Sequence, residues 1–230
     1  MSRLALVLAV VALAGCSGGE SGKATLWITR DRGTHVLVAK QVPAGLTAMQ
    51  ALDRVADIDT RYGGRYVQAI DGLAGSISSR RDWFYFVNGY EGDRSAAEYR
   101  LRPGDVEWWD FRSWRTQMRQ PVVVGAFPEP FLHGYGGHRL PARVVFRFDS
   151  QRAAAERLAK LLGGRTIRGT DAGGAKNVNV LVLRGPAKEP TLRVSGGNAP
   201  GAAVVFTFTG NPALLLRTVP FGRYRYEVMP

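Results

Sequence analysis

Apolar and polar residues alternate through ATLWITR (residues 24–30) and again through THVLVAKQV after a turn at Gly33, which predicts an antiparallel strand pair. The period then changes. In GLTAMQALDRVADI, Ala48, Met49, Ala51, Leu52 and Val55 fall on one helical face. Thr47 is placed to cap that helix, and Gln50, three residues on, completes a capping box. RYVQAIDGL (65–73) reads as a short strand running into an Asp71-Gly72 turn. DWFYFVNG reads as a strand that ends on Asn88-Gly89, a strong hairpin signal. LRPGDVEWWDF sets a Pro103-Gly104 turn before a further aromatic strand, 106–111. Strand, strand, helix, strands is the β-grasp order, a mixed sheet holding one helix.

A second pattern follows. ARVVFRF (142–148) is a strand, and DSQRAAAERLAKLLGG is a helix with Asp149 or Ser150 at its start and Gly163-Gly164 at its end. NVNVLVL (177–183) and AVVFTFTG are strands. NPALLLRTV reads as a short helix with Pro212 at its first position, and RYRYEV as a last strand. That order, βαββαβ, predicts a ferredoxin-like unit. All five tryptophans lie between Trp27 and Trp114, so the boundary falls near residues 119–121. The expected fold class is α+β: a β-grasp domain over 24–119 followed by a ferredoxin-like domain over 120–230.

The amino-terminal end changes the setting. Arg3, an apolar run over 4–13 too short to span a bilayer, and small residues before Cys16 form an export signal over 1–16. Leu13-Ala14-Gly15-Cys16 resembles the lipobox of bacterial lipoproteins, which implies acylation of Cys16. Residues 17–23, SGGESGK, read as a flexible tether. The expected location is the extracytoplasmic face of the cell membrane. Cys16 is the only cysteine, so disulfides and thiol chemistry are not expected in the mature chain. The net charge is +12, with 26 Arg against 5 Lys, a bias that fits a GC-rich, actinobacterial genome. In an exported, anchored chain this charge points to anionic headgroups and cell-wall polymers rather than nucleic acid.

The first segment resembles a bacterial family of transcobalamin-like C-terminal domains of unknown function, within the soluble-ligand-binding β-grasp superfamily. GLTAMQALDRVADIDTRYGG, VQAIDGL, DWFYFVNG and YRLRPGDVEWWDFRSW carry the resemblance, which spans residues 24–114. It implies a β-grasp fold and a groove that caps a bulky ligand; in the animal carriers this domain covers one face of a corrin. It also implies a partnership with vitamin uptake, including energy-coupling-factor transporters. The large helical half of the animal carriers' cobalamin site has no counterpart here, so a complete cobalamin pocket is not expected.

Candidate chemistry follows from the aromatics. In a strand, Trp83, Tyr85 and Val87 share one face while Phe84 and Phe86 share the other, and Trp108 and Trp109 likewise oppose each other. Both faces are large and apolar, so each needs cover. Packing against the second segment and an exposed stacking surface for a flat ligand or partner protein both meet that need. The candidate ligand-binding residues are Trp83, Tyr85, Tyr90, Trp108, Trp109 and Trp114, with Arg61 and Tyr62 on a Gly63-Gly64 loop as a rim. His35, His133 and His138 lack partners at metal-ligand spacing, and no metal or cofactor is expected beyond a corrinoid as ligand. Asp105 reads as a turn residue, and Glu107 has no paired carboxylate. No nucleophile-and-base motif is present, so an enzyme is not expected. The leading expectation is a lipid-anchored binding or accessory protein for corrinoid or other vitamin uptake. The alternative is a structural or interaction lipoprotein with no small ligand.

Overall fold

The computed structural model describes residues 22–174 and 176–230; the export signal, Cys16 and residues 17–21 of the tether lie outside them. Strand β1 (Lys23–Arg30) turns back on β2 (His35–Pro43), as the alternation predicts. Helix α1 (Ala48–Asp53) starts with the expected capping box: the Gln50 N–H donates to Thr47 Oγ1 at 3.1 Å, and the Thr47 N–H to Gln50 Oε1 at 2.9 Å. The helix is shorter than its periodic pattern. Asp57 is taken by Asp71, to which its backbone N–H donates at 2.9 Å, and the chain enters β3 (Ile58–Arg61). β3 pairs with β4 (Tyr66–Ile70), and β4 with β5 (Leu73–Ala74), in a small antiparallel sheet.

β6 (Arg81–Val87) turns through Asn88 and Gly89, both at positive φ, into β7 (Tyr90–Glu91). Asn88 is buried, and its side chain is fully used. It donates to Asp105 Oδ1 (2.7 Å) and to the Gly134 carbonyl (3.0 Å), and accepts from the Val106 N–H (2.8 Å). Asp105 accepts the Arg102 N–H at 2.8 Å, the turn role its PGD context predicts. β8 (Val106–Ser113) then enters the centre of the first sheet, in the order β2-β1-β8-β6-β7, parallel to β1 and antiparallel to β6. Ala48, Met49, Ala51 and Leu52 of α1 pack on Leu26, Ile28, Trp83, Val87, Trp109 and Phe111.

The chain then passes through a short helix α2 (Glu129–Leu132) to a second sheet. Its strands are β9 (Ala142–Phe146), β10 (Arg165–Arg168), β11 (Asn179–Leu183), β12 (Thr191–Gly196) and β13 (Val204–Thr209), in the order β10-β9-β11-β13-β12. Only β12 runs antiparallel to its neighbour. The ferredoxin-like expectation is therefore corrected: that order alternates strand directions, whereas here four strands are parallel. The cause lies in two segments. Helix α3 (Arg152–Leu161) returns the chain into β10, a four-residue strand bracketed by two arginines that carries little pattern. The segment after β13 forms a five-residue 3₁₀ turn, Pro212–Leu216, too short to cross the sheet. RYRYEV is not a strand of this sheet either; its end makes only a bridge from Val228 to Leu192. The chain is a mixed α+β protein dominated by sheets.

RYRYEV runs instead over the first sheet. Tyr224 meets Trp27 edge-on at 4.7 Å, and Tyr226 meets Phe86 and Trp108 at 5.4 and 5.6 Å. Trp27, Phe86, Val106, Trp108, Val123, Ala126 and Tyr226 form one buried cluster. The sheet face away from α1 is thus covered by the chain's own carboxy-terminal segment.

Candidate functional site

The helix-side face ends in an open cleft of about 220 Å³. β6 contributes Trp83 and Tyr85, β8 Trp109, β4 Tyr66 and Val67, α1 Met49, and the turn after β7 Gly92, Arg94, Ser95 and Ala96. Alternation along β6 and β8 brings Tyr85 opposite Trp109, and the two rings stack at 5.2 Å and 26°. The Tyr85 hydroxyl donates to the Arg94 carbonyl at 2.5 Å. Trp83 packs on Phe111 at 5.2 Å, and its indole N–H donates to the Leu73 carbonyl at 2.7 Å. Gly92 lies beneath the Tyr85 ring. A β-carbon there would sit 2.5 Å from the phenol oxygen and closer still to the ring. Arg65 and Arg94 stand at the rim, paired with Glu98 and Asp93 respectively.

A buried carboxyl backs the aromatic pair. The Trp109 indole N–H donates to Glu107 Oε1 at 2.5 Å, while Glu107 Oε2 has no partner. Burial pushes the Glu107 carboxyl well above the ordinary range, with the Trp109 bond as the opposing effect. Glu91, also on the lining, is raised by burial, opposed by the Gln120 N–H at 3.1 Å and by Arg112 and Arg119. Burial likewise raises the Tyr85 phenol. The cleft is therefore an apolar, ring-lined recess in which burial raises Glu107 and Glu91, while the Arg94 hydrogen bond lowers Asp93 at the rim.

Of the residues singled out in the sequence, Trp83, Tyr85 and Trp109 come together here. Arg61 and Tyr62 line a neighbouring, larger cleft of about 590 Å³, separated from the first by Tyr66, which lines both. Tyr62 is 77% exposed and meets Tyr66 edge-on at 6.0 Å. Two of the others are corrected, and Trp114 lies outside both clefts. Trp108 is fully buried beneath Tyr226, and its indole N–H is used by Thr29 Oγ1 at 2.7 Å. Tyr90 is buried against Tyr135, with its hydroxyl on the Ala202 carbonyl at 3.2 Å. Trp114 is half-buried beyond the end of β8 and lines neither cleft. For Trp108 the reason is alternation: it belongs to the face that the carboxy-terminal segment covers. Tyr66, Gly92 and Arg94 were missed. Gly92, in NGYEGD just after the hairpin, was the available signal, since a glycine there permits close approach of a ring. Among the described residues no group of three or more His, Cys, Asp or Glu side chains is placed to hold a metal ion. No helix among them is long and apolar enough to cross a membrane.

Residues 45–113 match the family model described as Domain of unknown function (DUF4430). No curated protein matches the chain. Among solved structures, the chain is similar to a protein from Ruminococcus gnavus ATCC 29149 for which metal binding has been suggested. There identity is 14% and the TM-score 0.33, over 40% of this chain and 97% of that one. It is also similar to haptocorrin, solved in complex with Cbi, at 16% identity and a TM-score of 0.33. That match covers 41% of this chain, which spans about a quarter (26%) of haptocorrin.

Proposed function

We propose that this is an extracytoplasmic binding protein, anchored through Cys16, that holds one edge of a flat, ring-bearing ligand in the Trp83–Tyr85–Trp109 cleft. Residues 24–119 form its β-grasp domain, an assignment supported by the parallel β1–β8 centre with α1 packed on one face. The observation that carries the reading is the cleft's lining: a phenol stacked on an indole, kept open by Gly92. Rings of this kind bind apolar flat surfaces while their polar edges stay wet. The volume refines the role. Complete small-molecule pockets enclose roughly 300–1,000 Å³, and this cleft holds about 220 Å³. A corrinoid or other vitamin would lie mostly outside it, so a partner such as an energy-coupling-factor transporter would complete the cover. The role is accessory rather than enzymatic.

The test is a tryptophan-fluorescence titration of residues 22–230 with cobinamide and cobalamin, using haem as the flat control. Saturable quenching by the corrinoids but not haem, lost in Tyr85→Ala, is the expected result. Equal quenching by haem would remove the corrinoid assignment. No saturable quenching would favour the second reading, a structural or interaction lipoprotein. One observation favours that alternative: Trp27, Trp83, Trp108 and Trp109 are each 6% exposed or less.

A further inference from the structure

The second sheet carries a site of different chemistry. Arg143 on β9 and Arg165 on β10 are directly opposed across the parallel pair, so their side chains leave the same face side by side. Opposed like charges are destabilising. At the far end of β10, by contrast, Arg168 is matched by Asp149 at 2.9 Å. Arg143 and Arg165 have no ion pair among the described residues. The Arg143 Nε–H is moreover buried without an acceptor, a costly state unless something supplies one.

Both side chains line an open cleft of about 450 Å³ at the amino-terminal ends of β9 and β10, with Pro141, Gly163, Gly164 and Val178. Gly164 lets the turn from α3 press against Ala142, where a β-carbon would lie 2.7 Å from the alanine's own. The negative end of α3 does not oppose an anion here. The Gly164 N–H closes on the Ala159 carbonyl at 2.8 Å, and Arg139 donates to the Gly163 carbonyl at 3.4 Å.

From this geometry we propose that the Arg143–Arg165 cleft binds a phosphate group. Two planar guanidiniums on one face present forked donors to a compact oxyanion. Two unmatched positive charges suit a phosphate better than a single carboxylate. A bound phosphate would relieve the repulsion between the arginines. The source is either a free phosphate compound or the phosphodiester of a lipid headgroup. The inference is independent of the aromatic cleft and of any ligand there.

Residues 22–230, which hold every contact described, are titrated with inorganic phosphate at low salt, following the arginine Nε–H resonances by NMR. A parallel arm measures co-sedimentation with phosphatidylglycerol and with phosphatidylcholine vesicles. The expected result is saturable movement of the Arg143 Nε–H signal, with affinity at least about tenfold weaker in R143A/R165A and partly kept in R143K/R165K. Should the double variant fail to fold, R165A alone, at an exposed position, carries the same expectation of weaker binding. Loss of phosphatidylglycerol sedimentation in the variant assigns the headgroup. Sedimentation indifferent to the variant, with phosphate binding lost, assigns a free phosphate. No saturable phosphate binding, or the same affinity in wild type and variants, overturns the proposal.

Discussion

Replacing Gly92 with alanine tests how tightly the cleft is built. The new methyl carbon would stand 2.5 Å from the Tyr85 hydroxyl oxygen and nearer to the ring. Non-bonded carbons and their neighbours settle at about 3.5–4.0 Å, so the ring must move by about 1 Å or more. Two interactions depend on its present place: the stack on Trp109 at 5.2 Å and the hydrogen bond to the Arg94 carbonyl. An aromatic pair contributes about 0.5–1.5 kcal/mol beyond burial, and a net hydrogen bond about the same. The expected loss is therefore about 1–3 kcal/mol, read by urea unfolding of residues 22–230 under circular dichroism. Overpacking against another part of the structure could produce a similar loss, so the decisive quantity is the coupling. In a Tyr85→Ala background there is no ring to displace, and Gly92→Ala should then cost only a few tenths of a kcal/mol, as for a surface change. Additive losses in the double variant would refute the placement of Tyr85 over Gly92, and with it the open cleft.

The buried acid and the covering segment give further predictions. Burial raises the Glu107 carboxyl, so the folded protein holds this proton more tightly than the unfolded chain. Its contribution to stability therefore falls as pH rises above the ordinary carboxyl value. Glu107→Gln keeps an acceptor for Trp109 and cannot ionise; its melting temperature should match wild type near pH 4 and exceed it increasingly toward pH 8. His133 has the same pH sign for a different reason, a partner rather than burial. Its ring bonds Glu129 Oε2 at 2.7 Å, which raises its pKa, so its contribution is present below the unfolded value and lost as pH rises through the folded one. His133→Gln should lower the melting temperature more at pH 5.5 than at pH 8.5. Tyr226 is 2% exposed among Phe86 and Trp108, and Tyr226→Ala should cost about 3 kcal/mol or more in urea unfolding. The same variant should open Trp108 to acrylamide, which otherwise reaches chiefly Trp114.

How much of this was legible depends on where the information lies. The first sheet could be read because its signals are local: alternation in β1 and β2, the Thr47–Gln50 box, the Asn88-Gly89 turn and the Pro103-Gly104 turn all sit within a few residues. The second sheet could not, because strand direction depends on partners far away in sequence. ARVVFRF and NVNVLVL look the same in parallel and antiparallel sheets, and β10 is too short and too charged to announce itself. The aromatics show the same divide within one strand. Alternation places Trp108 and Trp109 on opposite faces, yet says nothing about which face is covered. The answer came from Tyr224 and Tyr226, more than a hundred residues on, which close over Trp27, Phe86 and Trp108. Once that face is shut, Phe86 and Trp108 are out of reach, while the helix-side rings of Trp83, Tyr85 and Trp109 still line a cleft. The cleft is therefore set jointly by a strand that the sequence makes visible and by a carboxy-terminal segment whose destination it does not. A binding platform read from Trp83, Tyr85 and Trp109 can stand while one that includes Trp108 cannot.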